Sequence, residues 1–457
     1  MILPADFIIR TKPMLGKDWE DFLAALESEP PVSIRINRNK ANEILPHPVL
    51  WCSTGFYLDE RPQFTFDPLF HAGCYYVQEA SSMFIEQAMK QYAGSKVRVL
   101  DLCAAPGGKS TLLASLIDDD SLLVSNEVIR SRANILAENI TKWGNPNVIV
   151  TNNDPSKIGK VKNFFDIILV DAPCSGEGMF RKDKGAVAEW SIDNVRLCRE
   201  RQQRILADIW PSLKPGGLLL YSTCTYNQEE NEENVQWMKD EFGAEVLPVE
   251  TKAEWGISPS FNSDFPVYRF FPHKTKGEGF FFTLLRKESE ADGVNTYRKK
   301  NDKSQKNKAV LPVEYKNYIK ENNTFDFYNK KDTWYAFPSI LSDDLTFLNS
   351  QLNVISEGIC LGEFKGKDFV PNQSLAVSNY LNQGAFQTCE VDWKTAISFL
   401  RKEAIFFENQ PKGYILLKYR GISLGFVKNI GNRANNLYPQ EWRIRSANIP
   451  QEEVNVI

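Results

Sequence analysis

The chain has 457 residues, of which 42% are hydrophobic and 25% are charged, which is ordinary for globular proteins and excludes wholesale disorder. At roughly 100–200 residues per domain, this length predicts two to four domains. A formal net charge of -4 disfavours a strongly basic coat for non-specific nucleic-acid binding. The eight cysteines form no Cys-x-x-Cys pair, and no apolar run reaches the length of about 18 residues that a membrane span needs. With no signal-peptide pattern at the start, we expect a cytoplasmic protein without a metal site or a membrane segment.

The sequence pattern divides the chain into four parts. Residues 1–92 mix short helical and extended segments, and residues 93–287 alternate apolar strands with helices. Residues 288–310 are basic and almost without apolar side chains, as in a solvated linker. Residues 311–457 are rich in aromatic residues, glycine and short β-like runs. We therefore predict an N-terminal α+β region, an α/β core and a separate C-terminal region.

The middle part carries the clearest fold signal. Its predicted elements, in chain order, are strand 97–102, helix 110–117, strand 122–127, helix 130–143, strand 148–150, strand 166–170, helix 193–210, a turn at 215–217 and strand 218–222. Strands that alternate with helices predict a mostly parallel sheet with helices on both faces, as in Rossmann-like folds. In such sheets ligands bind beyond the carboxyl ends of the strands. The functional residues should therefore follow the strands directly.

The turn after the first strand reads Asp101-Leu-Cys-Ala-Ala-Pro-Gly-Gly-Lys-Ser110. Two adjacent glycines let a backbone approach a ligand closely. A phosphate-binding P-loop would need glycine where Cys103 stands, and the dinucleotide pattern Gly-x-Gly-x-x-Gly is absent. A tight strand-to-helix turn without any ligand remains the alternative at this point.

Acidic residues follow three successive strands, namely Glu127, Asp154 and Asp171. One such acid could be a helix cap. Three of them indicate a nucleoside, because carboxylates bind ribose hydroxyls and an adenine amine. Carboxylates also repel phosphates, which favours S-adenosyl-L-methionine over ATP as the cofactor.

Two cysteines lie just beyond neighbouring strands, Cys174 in Asp-Ala-Pro-Cys-Ser-Gly and Cys224 in Ser-Thr-Cys-Thr. A thiolate that adds to carbon six of cytosine makes carbon five nucleophilic toward a methyl sulfonium. A second thiol could assist elimination, and Asp171 could stabilise the ring-nitrogen edge of the base. Most free cysteines are small buried hydrophobes, and we expect this of the rest: Cys52, Cys74, Cys198, Cys360 and Cys389, with Cys103 packing in its turn.

With these motifs the chain resembles the Sun/RsmB/RsmF family of RNA (cytosine-5-)-methyltransferases, and most of all its bacterial RsmF (YebU) 16S rRNA branch. The resemblance spans roughly residues 1–287 and is weaker beyond. The pairing of Pro-Cys-Ser-Gly with Thr-Cys in one chain is its most specific element. The matching segments are Ser33–Asn37, Tyr76–Met83, Cys103–Lys109, Asp171–Gly176, Ser222–Thr225 and Gly279–Phe281.

The resemblance implies roles for individual residues. Cys224 would be the nucleophile and Cys174 would assist product release. DNA cytosine methyltransferases use the Pro-Cys motif as nucleophile instead, and spacing alone does not separate the two roles. The implied contacts of S-adenosyl-L-methionine are Cys103, Ala104, Ala105, Pro106, Gly107, Gly108, Lys109, Glu127, Asp154 and Asp171.

Several basic residues are candidates for contacts with RNA phosphates, which would position the RNA without reading its sequence. Solvated surface is the alternative for each of them. A base inside a duplex would be out of reach, so the target must be unpaired or flipped out. The candidates are Arg35, Arg38, Arg181, Lys182, Lys428 and Arg433.

Near the C-terminus, apolar strands broken by glycines suggest a small β-barrel. Residues 412–445 hold seven basic residues and one acid. Together these features look like the PUA-type RNA-binding domain expected in the RsmF branch, and a domain that only stabilises the enzyme is the alternative.

The branch resemblance favours 16S rRNA, within a small ribosomal subunit or its precursor, as the partner of a monomeric enzyme. A tRNA cytosine-5 methyltransferase and a non-catalytic ribosome-assembly factor remain alternatives. A methyltransferase for proteins or small molecules fits less well, because methylation of an amine or an oxygen needs no thiolate.

Overall fold

The computed structural model describes residues 2–288, 310–407 and 410–457, so the predicted linker lies almost wholly outside the described residues. The N-terminal region is a three-stranded antiparallel sheet with helices around it, and β1 is the central strand. Its elements are α1 (Ala5–Leu15), α2 (Trp19–Glu27), β1 (Val32–Ile36), β2 (Gly55–Leu58), α3 (Pro68–His71), β3 (Tyr75–Val77) and α4 (Ile85–Tyr92).

The middle region contains every helix and strand expected from the sequence, most of them within two residues of the expected bounds. Its elements are β4 (Arg98–Asp101), α5 (Gly108–Leu116), β5 (Leu122–Asn126), α6 (Arg130–Trp143), β6 (Val148–Thr151), α7 (Pro155–Ile158), β7 (Phe165–Asp171), α8 (Lys184–Glu189), α9 (Ile192–Ile209), β8 (Leu213–Thr223), α10 (Glu232–Phe242), β9 (Glu245–Leu247), β10 (Tyr268–Phe270) and β11 (Phe280–Arg286). The turn expected at 215–217 lies inside β8, where Gly216 has a φ of +75° and the register with β7 jumps from the pair Phe165–Leu213 to the pair Ile167–Leu218.

The C-terminal region forms two four-stranded sheets, β12-β13-β15-β16 and β17-β18-β19-β20. Its elements are α11 (Val313–Lys316), β12 (Phe325–Lys330), β13 (Thr333–Pro338), α12 (Ser342–Gln351), β14 (Val354–Glu357), β15 (Ile359–Lys365), β16 (Asp368–Pro371), α13 (Gln373–Val377), β17 (Gln387–Glu390), α14 (Trp393–Leu400), β18 (Gly413–Tyr419), β19 (Ile422–Asn429) and β20 (Ala434–Asn436).

The central sheet has nine strands and the order β10-β11-β8-β7-β4-β5-β6-β14, with β9 paired to β11. The five strands from β8 to β6 are parallel, as the alternating pattern predicts. The edge strand β14 comes from the C-terminal region and pairs antiparallel with β6. The sheet therefore extends beyond the segment 93–287 that the sequence pattern delimits.

Both faces of this sheet are covered by helices. Val99 faces an apolar cluster that includes Leu113 of α5 and Leu136 of α6. The next residue along β4, Leu100, faces a second cluster that includes Leu206 of α9. Such alternation follows from the two-residue period of a strand, and it confirms the doubly covered α/β fold. Among the described residues, the helices are all too short or too polar to cross a membrane.

Candidate active site

The turn that follows β4 brings the backbone close to the crevice at the carboxyl ends of the strands. Gly107 caps α5 with a φ of +119°, a conformation that favours glycine. At Gly108 an added Cβ would lie 3.3 Å from a ring carbon of Tyr76, so the helix starts where a larger residue would crowd its neighbour. The N–H of Ala104 donates to the carbonyl of Asn126 at 2.8 Å, which fixes the turn to the end of β5.

Helix α6 supports the same turn from the other side. Arg132 donates to the carbonyl of Ala105 at 2.8 Å and forms an ion pair with Glu127. Only 3% of Glu127 is exposed, and its Oε1 accepts the backbone N–H of Ile129 at 2.9 Å. Arg132 therefore bridges the first of the three strand-end acids to the glycine turn, and the expected contact of Glu127 with the cofactor remains a proposal.

The turn also contains a buried carboxyl group that sequence reasoning left without a role. Asp101 ends β4 and is fully buried. Its Oδ2 accepts the hydroxyl of Ser110 at 2.6 Å, while its Oδ1 has no hydrogen-bond partner among the described residues. Burial, and then the nearby charge of Asp171, raise the pKa of Asp101 to about 7 although Ser110 opposes the shift.

Asp171 ends β7 and joins the cofactor turn to the chemistry of the neighbouring strands. Its Oδ2 lies 2.8 Å from the ammonium of Lys109, and its Oδ1 accepts the hydroxyl of Ser222 at 2.8 Å. Burial opposes the charge of Lys109, but Asp171 outweighs this effect, and the pKa of Lys109 is raised. The Lys109 charge also interacts with Cys224. One ammonium group thus acts on the strand-end carboxylate and on a crevice thiol.

The third strand-end acid has a local role in the structure. Asp154 is exposed and caps the short helix α7, because its Oδ1 accepts the backbone N–H of Ser156 at 3.0 Å and the Ser156 hydroxyl at 2.6 Å. These hydrogen bonds lower the pKa of Asp154. The helix-cap alternative thus describes its observed contacts, and its contact with the cofactor remains a proposal.

The two crevice thiols lie side by side. The sulfur atoms of Cys174 and Cys224 are 3.0 Å apart, and the N–H of Cys224 donates to the Cys174 sulfur at 3.3 Å. The hydrogen bond with Cys224, followed by burial, raises the pKa of Cys174 well above its ordinary value. Cys174 therefore keeps its proton at neutral pH and can donate it to the neighbouring sulfur.

A polar network missed by sequence reasoning fixes the two cysteine loops. Glu177 is 2% exposed and accepts the backbone N–H groups of Tyr226 and Asn227 at 2.8 and 2.9 Å. Glu230 is fully buried and accepts the N–H of Ser175 at 3.0 Å. Burial raises the pKa of Glu230 to about 7. The only sequence features that pointed to this network were Glu177, three residues after Cys174, and Glu230, six residues after Cys224.

The phosphate contact expected for Arg35 is wrong. Its side chain is fully buried beneath the cofactor turn, where it donates to Gln78 at 2.9 Å and to Thr111 at 2.6 Å. Its guanidinium carbon also lies 4.6 Å from the ring centroid of Trp143. Arg35 is a structural residue, and burial lowers its pKa to about 10.

The phosphate contact expected for Arg181 is also wrong, because the Arg181 side chain is buried. Only 5% of its side chain is exposed. It donates to Glu278 at 3.0 Å, to the carbonyl of Gly277 at 2.8 Å and to the carbonyl of Ala25 at 3.1 Å. Its donors therefore serve the packing of the N-terminal helices on the core rather than a phosphate.

The other basic candidates stay accessible. Lys182 is exposed and lies 3.4 Å from Glu278, and Arg38 donates to the carbonyl of Glu43 at the surface. Lys428 pairs with Asp368, and Arg433 is exposed. Contacts of these four residues with RNA remain proposals.

The residues at this edge of the sheet fit S-adenosyl-L-methionine. The glycine turn gives a ligand access to the backbone, and Glu127 and Asp171 supply acceptors for hydroxyl and amine donors. The buried Oδ1 of Asp101, which lacks a partner among the described residues, adds one more acceptor. Fold and site together define the class of S-adenosylmethionine-dependent methyltransferases.

Comparisons with known families agree with this class. The family model for 16S rRNA methyltransferase RsmB/F matches residues 91–286. The model for the N-terminal domain of 16S rRNA methyltransferase RsmF matches residues 3–80, and that for the methyltransferase RsmF PUA domain matches residues 386–444. The last segment contains β17 to β20, which confirms the expected PUA domain.

Curated relatives match over nearly the whole chain. Ribosomal RNA small subunit methyltransferase F of Vibrio vulnificus strain YJ016 is 30% identical over 98% of each chain. The protein of the same name from Aeromonas salmonicida strain A449 is 32% identical over 86% of this chain and 84% of its own. The chain therefore belongs to the RsmF branch of the RsmB/F methyltransferase family, which confirms the resemblance of its motifs.

Solved structures share the fold over about three-fifths of this chain. A methyltransferase homologue from Pyrococcus horikoshii is 31% identical, has a TM-score of 0.53 and covers 62% of this chain and 94% of its own. NSun6 from the same organism, solved with SFG, is 21% identical, has a TM-score of 0.54 and covers 63% of this chain and 99% of its own. The second match supports the fold alone.

Proposed function

We propose that this methyltransferase modifies carbon five of cytosine in small-subunit rRNA, with Cys224 as the covalent nucleophile. The observation that carries the proposal is the 3.0 Å contact between the sulfurs of Cys174 and Cys224 at the carboxyl ends of β7 and β8. Methylation of an amine or an oxygen needs no thiol, whereas carbon five of cytosine must first be activated by covalent addition. A pair of thiols beside the Lys109–Asp171 pair supplies the groups this chemistry needs.

The chain's own residues divide the reaction into addition and elimination. When bound, S-adenosylmethionine supplies the methyl group as an electrophilic sulfonium. The Cys224 thiolate forms a bond to carbon six of cytosine, and the ring electrons then make carbon five nucleophilic. In elimination the carbon-five proton passes to water, the double bond re-forms, and the bond between carbon six and sulfur breaks with its electron pair on the Cys224 sulfur.

The protonated state of the Cys174 thiol supports this division of roles. The raised pKa of Cys174 keeps it protonated, so it is suited to donate a proton to the Cys224 sulfur as that sulfur leaves carbon six. Lys109 acts electrostatically on the Cys224 sulfur. Asp171 is held in place by Lys109 and Ser222, and we propose that it stabilises the ring-nitrogen edge of the bound cytosine. We assign Cys224 as nucleophile and Cys174 as the residue that assists release.

The substrate assignment rests on the relatives and on the domain composition. The curated relatives carry names that specify ribosomal RNA of the small subunit, and the RsmF PUA model matches the C-terminus. We propose that the RNA is part of a small subunit or its precursor, and that the enzyme acts in the cytoplasm as a monomer. Arg38, Lys182, Lys428 and Arg433 are the candidate phosphate contacts.

The test is methyl transfer by the purified protein to small-subunit particles, deproteinised small-subunit RNA and tRNA, followed by bisulfite sequencing. Protected cytosines in small-subunit RNA, absent with Cys224→Ala although that variant still binds the cofactor, would support the proposal. Cys198→Ala is the matched control, because Cys198 is a buried cysteine in α9 that should tolerate the change. Protection only in tRNA would overturn the substrate assignment. RNA binding without any protected cytosine would favour a non-catalytic assembly factor.

A further inference from the structure

A buried carboxylate lies between the two cysteine loops, and among the described residues its hydrogen bonds go to groups other than the two thiols, although its charge acts on Cys174. Glu230 belongs to the segment between β8 and α10, and none of it is exposed. Its Oε2 accepts the side-chain amide of Gln202 at 2.7 Å, and its Oε1 accepts that of Asn227 at 2.8 Å. Burying a carboxylate is costly unless such donors compensate it, so a residue at this place needs a structural or functional reason.

The backbone contact of Glu230 gives that reason. The carboxylate accepts the N–H of Ser175, the residue directly after Cys174, at 3.0 Å. Glu230 itself follows Cys224 by six residues, so this hydrogen bond ties the Cys174 loop to the Cys224 loop. The hydroxyls of Ser175 and Thr225, 2.9 Å apart, form a second tie, but it joins two neutral groups. The Glu177 carboxylate also ties the two loops, because it accepts the N–H groups of Tyr226 and Asn227, but Glu230 is the carboxylate that binds the residue directly next to Cys174.

We propose that Glu230 is a positioning residue: it holds the Cys174 loop so that the Cys174 proton reaches the Cys224 sulfur during release of the methylated RNA. This inference rests on the proposed function for its consequence in catalysis. The role of Glu230 in keeping the two sulfurs close together does not depend on RNA, so it can be tested in the RNA-free enzyme.

The first experiment measures that separation without RNA. Diamide, a diazene oxidant, converts two adjacent thiols to a disulfide; the diazene takes up both hydrogens and becomes a hydrazine. The initial rate of the Cys174–Cys224 crosslink is followed by peptide mass mapping in the wild-type enzyme, whose sulfurs start 3.0 Å apart.

Two variants and a control give the comparison. Glu230→Gln keeps the size but leaves one donor without an acceptor, and losing a hydrogen bond to a charged group corresponds to a rate that is slower by about tenfold or more. Glu230→Asp keeps the charge but has a shorter side chain, so its crosslinking rate should lie between those of the wild type and Glu230→Gln. If Glu230→Gln does not fold, Glu230→Asp provides the test. Glu357→Gln is the control: Glu357 is a buried carboxylate of β14 bound by Lys330, and its loss should leave the rate unchanged.

The second experiment uses RNA and cofactor. Glu230→Gln should raise the ratio of denaturation-resistant RNA adduct to released product by about tenfold, an effect in the same range as one lost charged hydrogen bond. A purely structural defect would lower both quantities together. Wild-type crosslinking rates in both Glu230 variants would overturn the inference. If crosslinking slows but even Cys174→Ala forms no adduct, the positioning role stands and the proposed release mechanism fails.

Discussion

The sulfurs of Cys174 and Cys224 lie 3.0 Å apart although 50 residues separate them in the chain. The contact follows from strand pairing: Asp171 at the end of β7 is the register partner of Ser222 in β8, and each cysteine comes two or three residues later. Parallel neighbours end at the same edge of a sheet, so two short loops meet there. The Glu177 and Glu230 carboxylates then fix these loops to one another.

Removing the release thiol should trap the enzyme on RNA. Cys174→Ala takes away the proton donor for the Cys224 sulfur, so elimination slows while addition continues, and an adduct that survives denaturation should accumulate. Denaturing gel electrophoresis of the enzyme with labelled RNA and cofactor detects it. The double variant with Cys224→Ala should show no adduct. Turnover of Cys174→Ala at the wild-type rate would remove Cys174 from the mechanism.

The Lys109–Asp171 ion pair should matter for the cofactor. Lys109→Met leaves the Asp171 carboxylate without its counter-ion, and we expect the cofactor to bind about 10- to 100-fold more weakly, as for the loss of a charge-assisted hydrogen bond. Titration calorimetry measures this. Lys214→Met is the control, since Lys214 pairs with Asp166 at the opposite end of β7. Equal effects of the two variants would contradict a cofactor role for the pair.

Asp101 predicts a pH-dependent stability. Its pKa rises from 3.8 to about 7 on folding, so the folded state binds the extra proton between these values. The Asp101 contribution to stability is full below about pH 4 and is lost as the pH rises through 7, at about 1.4 kcal/mol for each pH unit between the two values.

The variant Asp101→Asn cannot titrate, so it isolates this contribution. Relative to the wild type, it should gain stability between pH 5 and pH 8, which urea unfolding at both pH values measures. Lys109, Glu127 and Asp171 are the charged groups around Asp101, and they are present in both proteins. A constant difference in the free energy of unfolding across this range would show that Asp101 titrates normally.

Arg35 should behave as a structural residue. Arg35→Met leaves Gln78 and Thr111 without their partner beneath the cofactor turn, and an unpaired buried polar group costs about 1–3 kcal/mol. Arg38→Met, at the exposed end of the same segment, should change stability by less than about 0.5 kcal/mol. Chemical unfolding measures both. If Arg35→Met kept its stability but bound RNA more weakly, Arg35 would have to be regarded as a phosphate contact despite its burial.

The sequence predicted the parallel sheet because buried parallel strands are continuous apolar runs, as in 166–170 and 218–222. It also placed Glu127, Asp171, Cys174 and Cys224 at one edge, because residues that follow parallel strands must meet there. The strand-end rule thus supplied the main residues of the site without any knowledge of side-chain geometry.

Contacts between residues that are distant in the chain could not be predicted from strand and helix patterns. The sequence of Val354–Glu357 does not predict that this segment pairs with β6. The pairing of an edge strand depends on tertiary contacts rather than on the strand's own pattern of apolar residues. Arg35 looked like a surface cation because arginine is seldom fully buried without a partner, and its partners Gln78 and Thr111 are distant in sequence. Glu230 was overlooked for the same reason, since its partner Ser175 is 55 residues away.

The most direct test of the central claim identifies the sulfur that bonds to cytosine. Small-subunit RNA made with 5-fluorocytidine blocks elimination, because fluorine at carbon five cannot leave as a proton does. The wild-type enzyme and cofactor are incubated with this RNA, and the crosslinked peptide is mapped by mass spectrometry. We expect a methylated fluorocytosine attached to Cys224, formed equally by Cys174→Ala and never by Cys224→Ala. Attachment to Cys174 would contradict the central claim.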